Sequence, residues 1–230
     1  MGYQYNYLLM GLIFFVIWLG LFFWRKNTRK QMLVMSPLFA LFGPFMELVY
    51  TQDWWGPLTL NGAAVGIESL LVGFSIGGIA SVVYEDVFKK KVRVRKVSEA
   101  KEIKRNLNLT FIVVLAFLIF FMSFYLFKFN SLISTILASI VTISVMWLKR
   151  PDLILDSLAT GIILVLVAAG TYGIIETLTP GWISATWYFN NVPEIIIFNI
   201  TIDEIIWYFL AGLFAGQLYE YWQEGRIVDS

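Results

Sequence analysis

Five carboxylates carry most of the chemistry available to this chain. Glu47, Glu68, Glu176, Asp203 and Glu204 all fall at one end of apolar segments. There is no Cys and no His, so thiol chemistry, disulfides, thiolate metal centres and the usual imidazole base are excluded. Proton transfer must then rest on Asp, Glu, Tyr or Lys. A carboxyl in a low dielectric with no cation beside it resists ionising, and neighbouring carboxyls add to that resistance. Such a group can give a proton and take one back. Acids inside apolar segments are functional groups by default. The competing reading makes these five helix caps that meet water at an interface.

Aromatic residues flank the acids. "YTQDWWGPLTLNG" (50–62) holds Trp54 and Trp55, and "TPGWISATWYFNNVPEIIIFN" (179–199) holds Trp182, Trp187, Tyr188 and Phe189. Trp207 lies just inside the last apolar segment. Such residues form interfacial belts. Beside an acid, their ring faces can also stabilise a carbocation. The second loop has room for a short interfacial helix, expected at "VPEIIIF" (192–198).

The elements that carry these residues are spans. The 230 residues are 59% hydrophobic and 14% charged, with mean hydropathy +0.74, whereas a soluble domain has about 25% charged residues. Seven segments approach the roughly 17–25 residues that cross a bilayer: Tyr7–Trp24, Leu33–Tyr50, Ala63–Tyr84, Leu109–Phe127, Leu132–Leu148, Leu153–Ile175 and Ile200–Trp222. The first has its basic cluster behind it and reads as a retained span, not a signal peptide. With the N-terminus outside and the C-terminus cytoplasmic, sixteen of the 17 basic residues are cytoplasmic and only Lys128 is not. The run "FKKKVRVRKVSEAKEIKR" (88–105) then reads as an anchor touching anionic headgroups and not as a nucleic-acid site. Net charge is only +1. Asp152 and Asp156 read as dipole partners at a helix N-terminus. Glu85, Asp86, Glu220 and Glu224 read as cytoplasmic acids among basic residues.

The chain repeats itself. Residues 67–85 over 202–220 give six identities in nineteen ungapped positions, including Gly77 with Gly212, Tyr84 with Tyr219 and Glu85 with Glu220; Glu68 meets Asp203. With gaps, 29–38 pairs with 149–158 and 42–55 with 172–182, where Glu47 meets Glu176. Spans 1–3 then correspond to spans 5–7. The expected fold is an all-α integral membrane protein of two parallel three-helix repeats plus a linking helix (3+1+3). Its parts are 1–87, a basic cytoplasmic loop with linking helix over 88–130, and 131–230. Gly73, Gly77 and Ser81, like Gly212 and Gly216, recur every four residues and mark a close helix contact. That contact is expected between spans 3 and 7.

At this point the pattern resembles the membrane-integral lycopene cyclase domain family, known in archaea, actinobacterial heterodimers and fungal fusion proteins. Its halves carry a motif near P-x-E-E or P-x-E-D at the outer start of a span. Here the second half reads Thr201-Ile202-Asp203-Glu204 before "IIWYF", and the first reads Gly66-Ile67-Glu68-Ser69 before "LLVGF". Gly66 and Thr201 stand in place of the motif proline, and Ser69 replaces an acid, so this resembles a divergent member. The resemblance implies redox-neutral chemistry of the intramolecular lyase or isomerase type in carotenoid biosynthesis, in a multi-pass prokaryotic cell membrane. An acid protonates a terminal alkene of a polyene or other isoprenoid, the carbocation closes a ring, and a base removes a proton.

Glu68, Asp203 and Glu204 are the expected donor and acceptor, tuned by Glu47 and Glu176. Trp54, Trp55, Trp182, Trp187, Tyr188 and Trp207 are the expected lining. No cofactor, metal or nucleic acid is expected. Membrane lipids are partners, and a homo- or hetero-oligomer is compatible. The chain has no nucleotide-binding glycine motif, and no Lys inside its last three spans for a retinal Schiff base. Two other classes fit the same layout: a proton-coupled small-molecule transporter, and a non-catalytic carotenoid- or lipid-binding subunit.

Overall fold

The computed structural model describes residues 2–229. A helix stands at each of the seven apolar segments. They are α1 (Asn6–Trp24), α2 (Arg29–Asp53), α3 (Ile67–Ala80), α5 (Glu99–Phe121), α6 (Ser131–Lys149), α7 (Ile154–Leu178) and α9 (Ile202–Gln223). Two short helices, α4 (Val83–Val87) and α8 (Trp182–Thr186), lie between them. Five of the long helices are long and apolar enough to cross a membrane, and α3 is a shorter apolar helix. Over its 22 residues α9 carries Asp203, Glu204 and Glu220. The outer surface of the bundle is apolar, with Val16, Leu118 and Leu166 each more than half exposed, as lipid requires and water penalises.

α3 lies against α2 and α1, and α9 lies against α7 and α6; each of these packed groups of three helices is called a triplet below. Glycines set the closest of these contacts. A Cβ on Gly73 would run into the Phe39 carbonyl of α2, and one on Gly212 would sit 2.6 Å from the Gly161 Cα of α7. The expected small-residue contact between spans 3 and 7 is therefore corrected: these glycines bring backbones together inside each triplet. An indole donates to a serine in each triplet as well, Trp18 Nε1 to Ser36 Oγ at 2.8 Å and Trp147 Nε1 to Ser157 Oγ at 2.9 Å.

The basic residues other than Lys128 collect at one end of the bundle. Arg25 caps α1 and donates to the Glu85 carbonyl at 2.6 Å. Arg150 caps α6 and donates to the Glu220 carbonyl at 3.2 Å. At the same end β1 (Lys90–Arg93) pairs antiparallel with β4 (Arg226–Asp229). Lys90 Nζ lies 2.6 Å from Asp229 Oδ1, and this bond raises the Lys90 pKa and lowers that of Asp229.

Three boundaries differ from expectation. Half of the presumed basic loop is helix, since α5 starts at Glu99 behind an extended Ser98, with Glu99 and Glu102 in its first turn. Acids there complement the helix dipole. Lys101 and Arg105 then reach Glu224 at 3.1 and 3.7 Å. Span 3 begins later and breaks after Ala80, where the Ser81 carbonyl is taken by the Gln31 amide and not by its own helix. The helix expected at 192–198 stands instead at Trp182–Thr186. Residues 196–201 form a hairpin, with β2 (Ile196–Ile197) against β3 (Ile200–Thr201). Its turn residues Phe198 and Asn199 have φ of 52° and 59°, the geometry of a two-residue turn whose twist suits a hairpin.

Candidate functional site

The end of the bundle opposite the arginines is closed by the two tryptophan-bearing loops. They pair through their backbones: the Gly56 N–H donates to Thr186 O at 2.8 Å, and the Tyr188 N–H to Trp54 O at 2.9 Å. Trp54, Trp55, Trp182 and Trp187 are all buried, so they form a lid and not an interfacial belt. Trp55 and Trp187 have ring centres 5.3 Å apart, and Tyr7 meets Trp55 edge-on at 5.1 Å.

Asp203 holds this lid. Wholly buried, it accepts Trp54 Nε1 at 2.5 Å and Trp187 Nε1 at 3.1 Å on one oxygen. Glu68, also buried, accepts the Leu60 N–H at 2.8 Å and so secures the loop before α3. Glu176 does the same after α7, accepting the Gly181 N–H at 2.5 Å and the Ile183 N–H at 3.3 Å. These three acids terminate loops, and none lines the large cavity below the lid.

That cavity is walled by α1, α2, α3, α5, α6, α7 and α9 and holds about 1460 Å³ of empty space, its open mouth included. Along α2 its wall extends from Leu38 to Tyr50, about 18 Å at 1.5 Å per residue. Pro37 and Pro44 interrupt this helix, and each removes a backbone hydrogen bond there. The lining is overwhelmingly apolar and aromatic, with Phe39, Phe42, Phe117, Phe120, Trp207 and Phe214 among its walls. Of the expected lining residues, Trp54, Trp55 and Trp207 face it; Trp182, Trp187 and Tyr188 do not.

Two carboxylates reach the cavity, Glu47 from α2 and Glu204 from α9. Glu47 is 3% exposed, and neither of its oxygens has a hydrogen-bond partner. The Tyr7 and Ser69 side chains lie beside it. Glu204 is 6% exposed, with Tyr172 next to it and Tyr208 one helical turn along α9. The two triplets thus build the pair differently. In the first, the second helix supplies the acid and the third a hydroxyl, Ser69. In the second, the second helix supplies a hydroxyl, Tyr172, and the third the acid. Tyr50 closes the group, bonded to Thr135 Oγ1 at 3.0 Å and approached by Trp207 Nε1 at 3.5 Å.

A second acidic group, at the arginine end, was not singled out from the sequence. Glu85, Asp156 and Glu220 are each 1% exposed or less, with one oxygen of each within 4.8 Å of the others. Asp156 does stand in the first turn of α7, where an acid complements the helix dipole, and Glu85 and Glu220 do lie at the arginine end; what the sequence did not reveal is that all three carboxylates are interior and face one another. Only the ungapped match of Glu85 with Glu220 in sequence hinted at this.

Compared with known proteins, the family model for lycopene cyclase matches residues 130–222, the stretch from α6 to α9. No curated protein and no solved structure matches the chain.

Proposed function

From the match of residues 130–222 to the lycopene cyclase family model, we propose that this chain closes the end group of a carotenoid or similar isoprenoid by redox-neutral acid catalysis. The supporting observation is that Glu47 and Glu204 reach one long apolar cavity bounded by aromatic faces. The reaction needs an acid, a base, a wall that tolerates positive charge, and no water. Glu204 gives its proton to the terminal alkene of the bound polyene. The cation at the substituted carbon is attacked by the neighbouring double bond, and the six-membered ring forms. Loss of a ring proton to Glu47 restores an alkene. Electrons balance without any oxidant, and after product leaves the proton passes back to Glu204 by way of the tyrosine hydroxyls beside the two acids. Trp207 and Tyr208 offer ring faces to the cation.

In this reading Asp203, Glu68 and Glu176 are positioning residues. Asp203 draws the two loops together over the cavity, and the lid excludes water from the cation. The bundle crosses the membrane seven times in the 3+1+3 order, with the lid outside and the arginine end in the cytoplasm.

The test is expression in lycopene-accumulating cells, followed by pigment extraction and chromatography. Ring-bearing products that vanish with Glu204→Gln, while the folded protein stays in the membrane, support the reading. Unchanged lycopene beside well-folded wild-type protein would sink it for this substrate. Proton-coupled solute flux in liposomes would replace it with the transporter.

A further inference from the structure

The structure points to a second site in this protein, and we propose that Glu85, Asp156 and Glu220 bind a divalent cation of the hard, oxygen-seeking kind, such as calcium, magnesium or manganese. The site is distinct from the cavity: none of its three acids lines it.

The carboxylates lack the partners that buried acids need. Among the described residues, both oxygens of Glu85, both of Asp156 and one of Glu220 have no hydrogen-bond partner. The remaining oxygen of Glu220 accepts the Gln31 amide at 2.5 Å. Two arginines stand nearby and do not neutralise the cluster. Arg25 gives its guanidinium to the Glu85 carbonyl and, at 3.7 Å, to Asp86. Arg150 is spent on Asp152 at 2.6 and 2.8 Å and on the carbonyls of Glu220 and Gly225. Unpaired buried charge is among the costliest arrangements a protein can hold.

A separate observation points to a ligand. Thr160 is wholly buried, its hydroxyl has no hydrogen-bond partner, and it is turned towards Asp156 one helical turn away. Gly216 leaves room for it, since a Cβ there would lie 2.7 Å from Thr160 Cγ2. The group therefore offers three carboxylates and a hydroxyl from α4, α7 and α9. Oxygen-only donors select hard cations. A cation about 2.3–2.6 Å from each ligand fits oxygens that lie within 4.8 Å of one another. Binding would tie the end of the first triplet to the second, at the end remote from the lid.

Full-length protein in detergent, stripped with EDTA, is titrated with CaCl2, MgCl2 and MnCl2 against NaCl of equal ionic strength. The expected result is a saturable rise in melting midpoint of about 5–10 °C with at least one divalent cation, and a bound Mn2+ signal by electron paramagnetic resonance. Asp156→Asn and Glu85→Gln should each weaken binding at least tenfold, while Glu99→Gln, outside the group, leaves it unchanged. Wild-type protein with no divalent response and no bound Mn2+ overturns the proposal and leaves protonated carboxyls as the account. So does a response that survives Asp156→Asn. Direct Mn2+ binding to the wild type decides the matter even where a variant fails to fold.

Discussion

Trp54 and Asp203, 149 positions apart in the chain, meet in a 2.5 Å hydrogen bond. The same carboxylate oxygen accepts Trp187 at 3.1 Å, so one acid joins both outer loops. A hydrogen bond to a charged acceptor contributes about 1.5–3 kcal/mol. Trp54→Phe and Trp187→Phe should each lower the melting midpoint in micelles, and the double variant should lose less than the two separate losses together. Strict additivity would mean that the two indoles do not share Asp203 as one unit.

The carboxylates divide into those that touch the cavity and those that hold loops. Glu204→Gln and Glu47→Gln should each reduce ring formation by about 10²–10⁴-fold with the melting midpoint nearly unchanged. Initial rates of pigment conversion in membranes, normalised to folded protein, measure this. A variant with wild-type turnover removes its residue from the proton path.

Glu68 should behave differently. Its carboxylate accepts one backbone N–H from Leu60, and a Gln carbonyl can accept the same bond. Glu68→Gln should keep turnover within a few-fold of wild type. Glu68→Ala leaves that donor unpaired and should cost about 1–3 kcal/mol of stability, read as a lower melting midpoint. Loss of activity in Glu68→Gln with stability intact would restore it as a proton carrier.

The glycines give a contrast on one helix pair. Gly212→Ala places a methyl against the Gly161 Cα, and overpacking of this kind costs about 1–3 kcal/mol. Gly170 has nothing within 4 Å of an added Cβ, and Gly→Ala inside a helix gains about 0.5–1 kcal/mol. Gly170→Ala should therefore raise the melting midpoint while Gly212→Ala lowers it. Equal effects would contradict the close approach of α7 and α9.

The helices were legible because apolar runs of this length have few other forms, and the matching halves of 67–85 and 202–220 anticipated α3 and α9. Side-chain partners were harder to foresee. Asp203, Glu68 and Glu176 look alike as acids at the ends of apolar runs, yet each is consumed by loop donors: Glu68 and Glu176 by backbone N–H groups of the adjoining loops, Asp203 by indoles of both outer loops. Glu47 gave no stronger signal than Glu176, but its position on α2 turns it into the cavity. Asp156 sits two turns beyond Arg150 and invites a dipole reading; only the packing of α7 on α9 and α4 reveals that it faces Glu85 and Glu220. Helix "VPEIIIF" failed because Pro193 and a β-branched run favour extension, and Asn199 tolerates the left-handed turn.

A polyene with identical ends would find no mirror in its binding site. It meets Glu47 from a second helix with Ser69 beside it, and Glu204 from a third helix with Tyr172 beside it. A substrate closed at one end would have to leave, turn end for end and return before its other end saw the same acid. If the proposed cyclisation takes place here, single-ended products should therefore accumulate before double-ended ones, because the two acids are built from different helices with different neighbours.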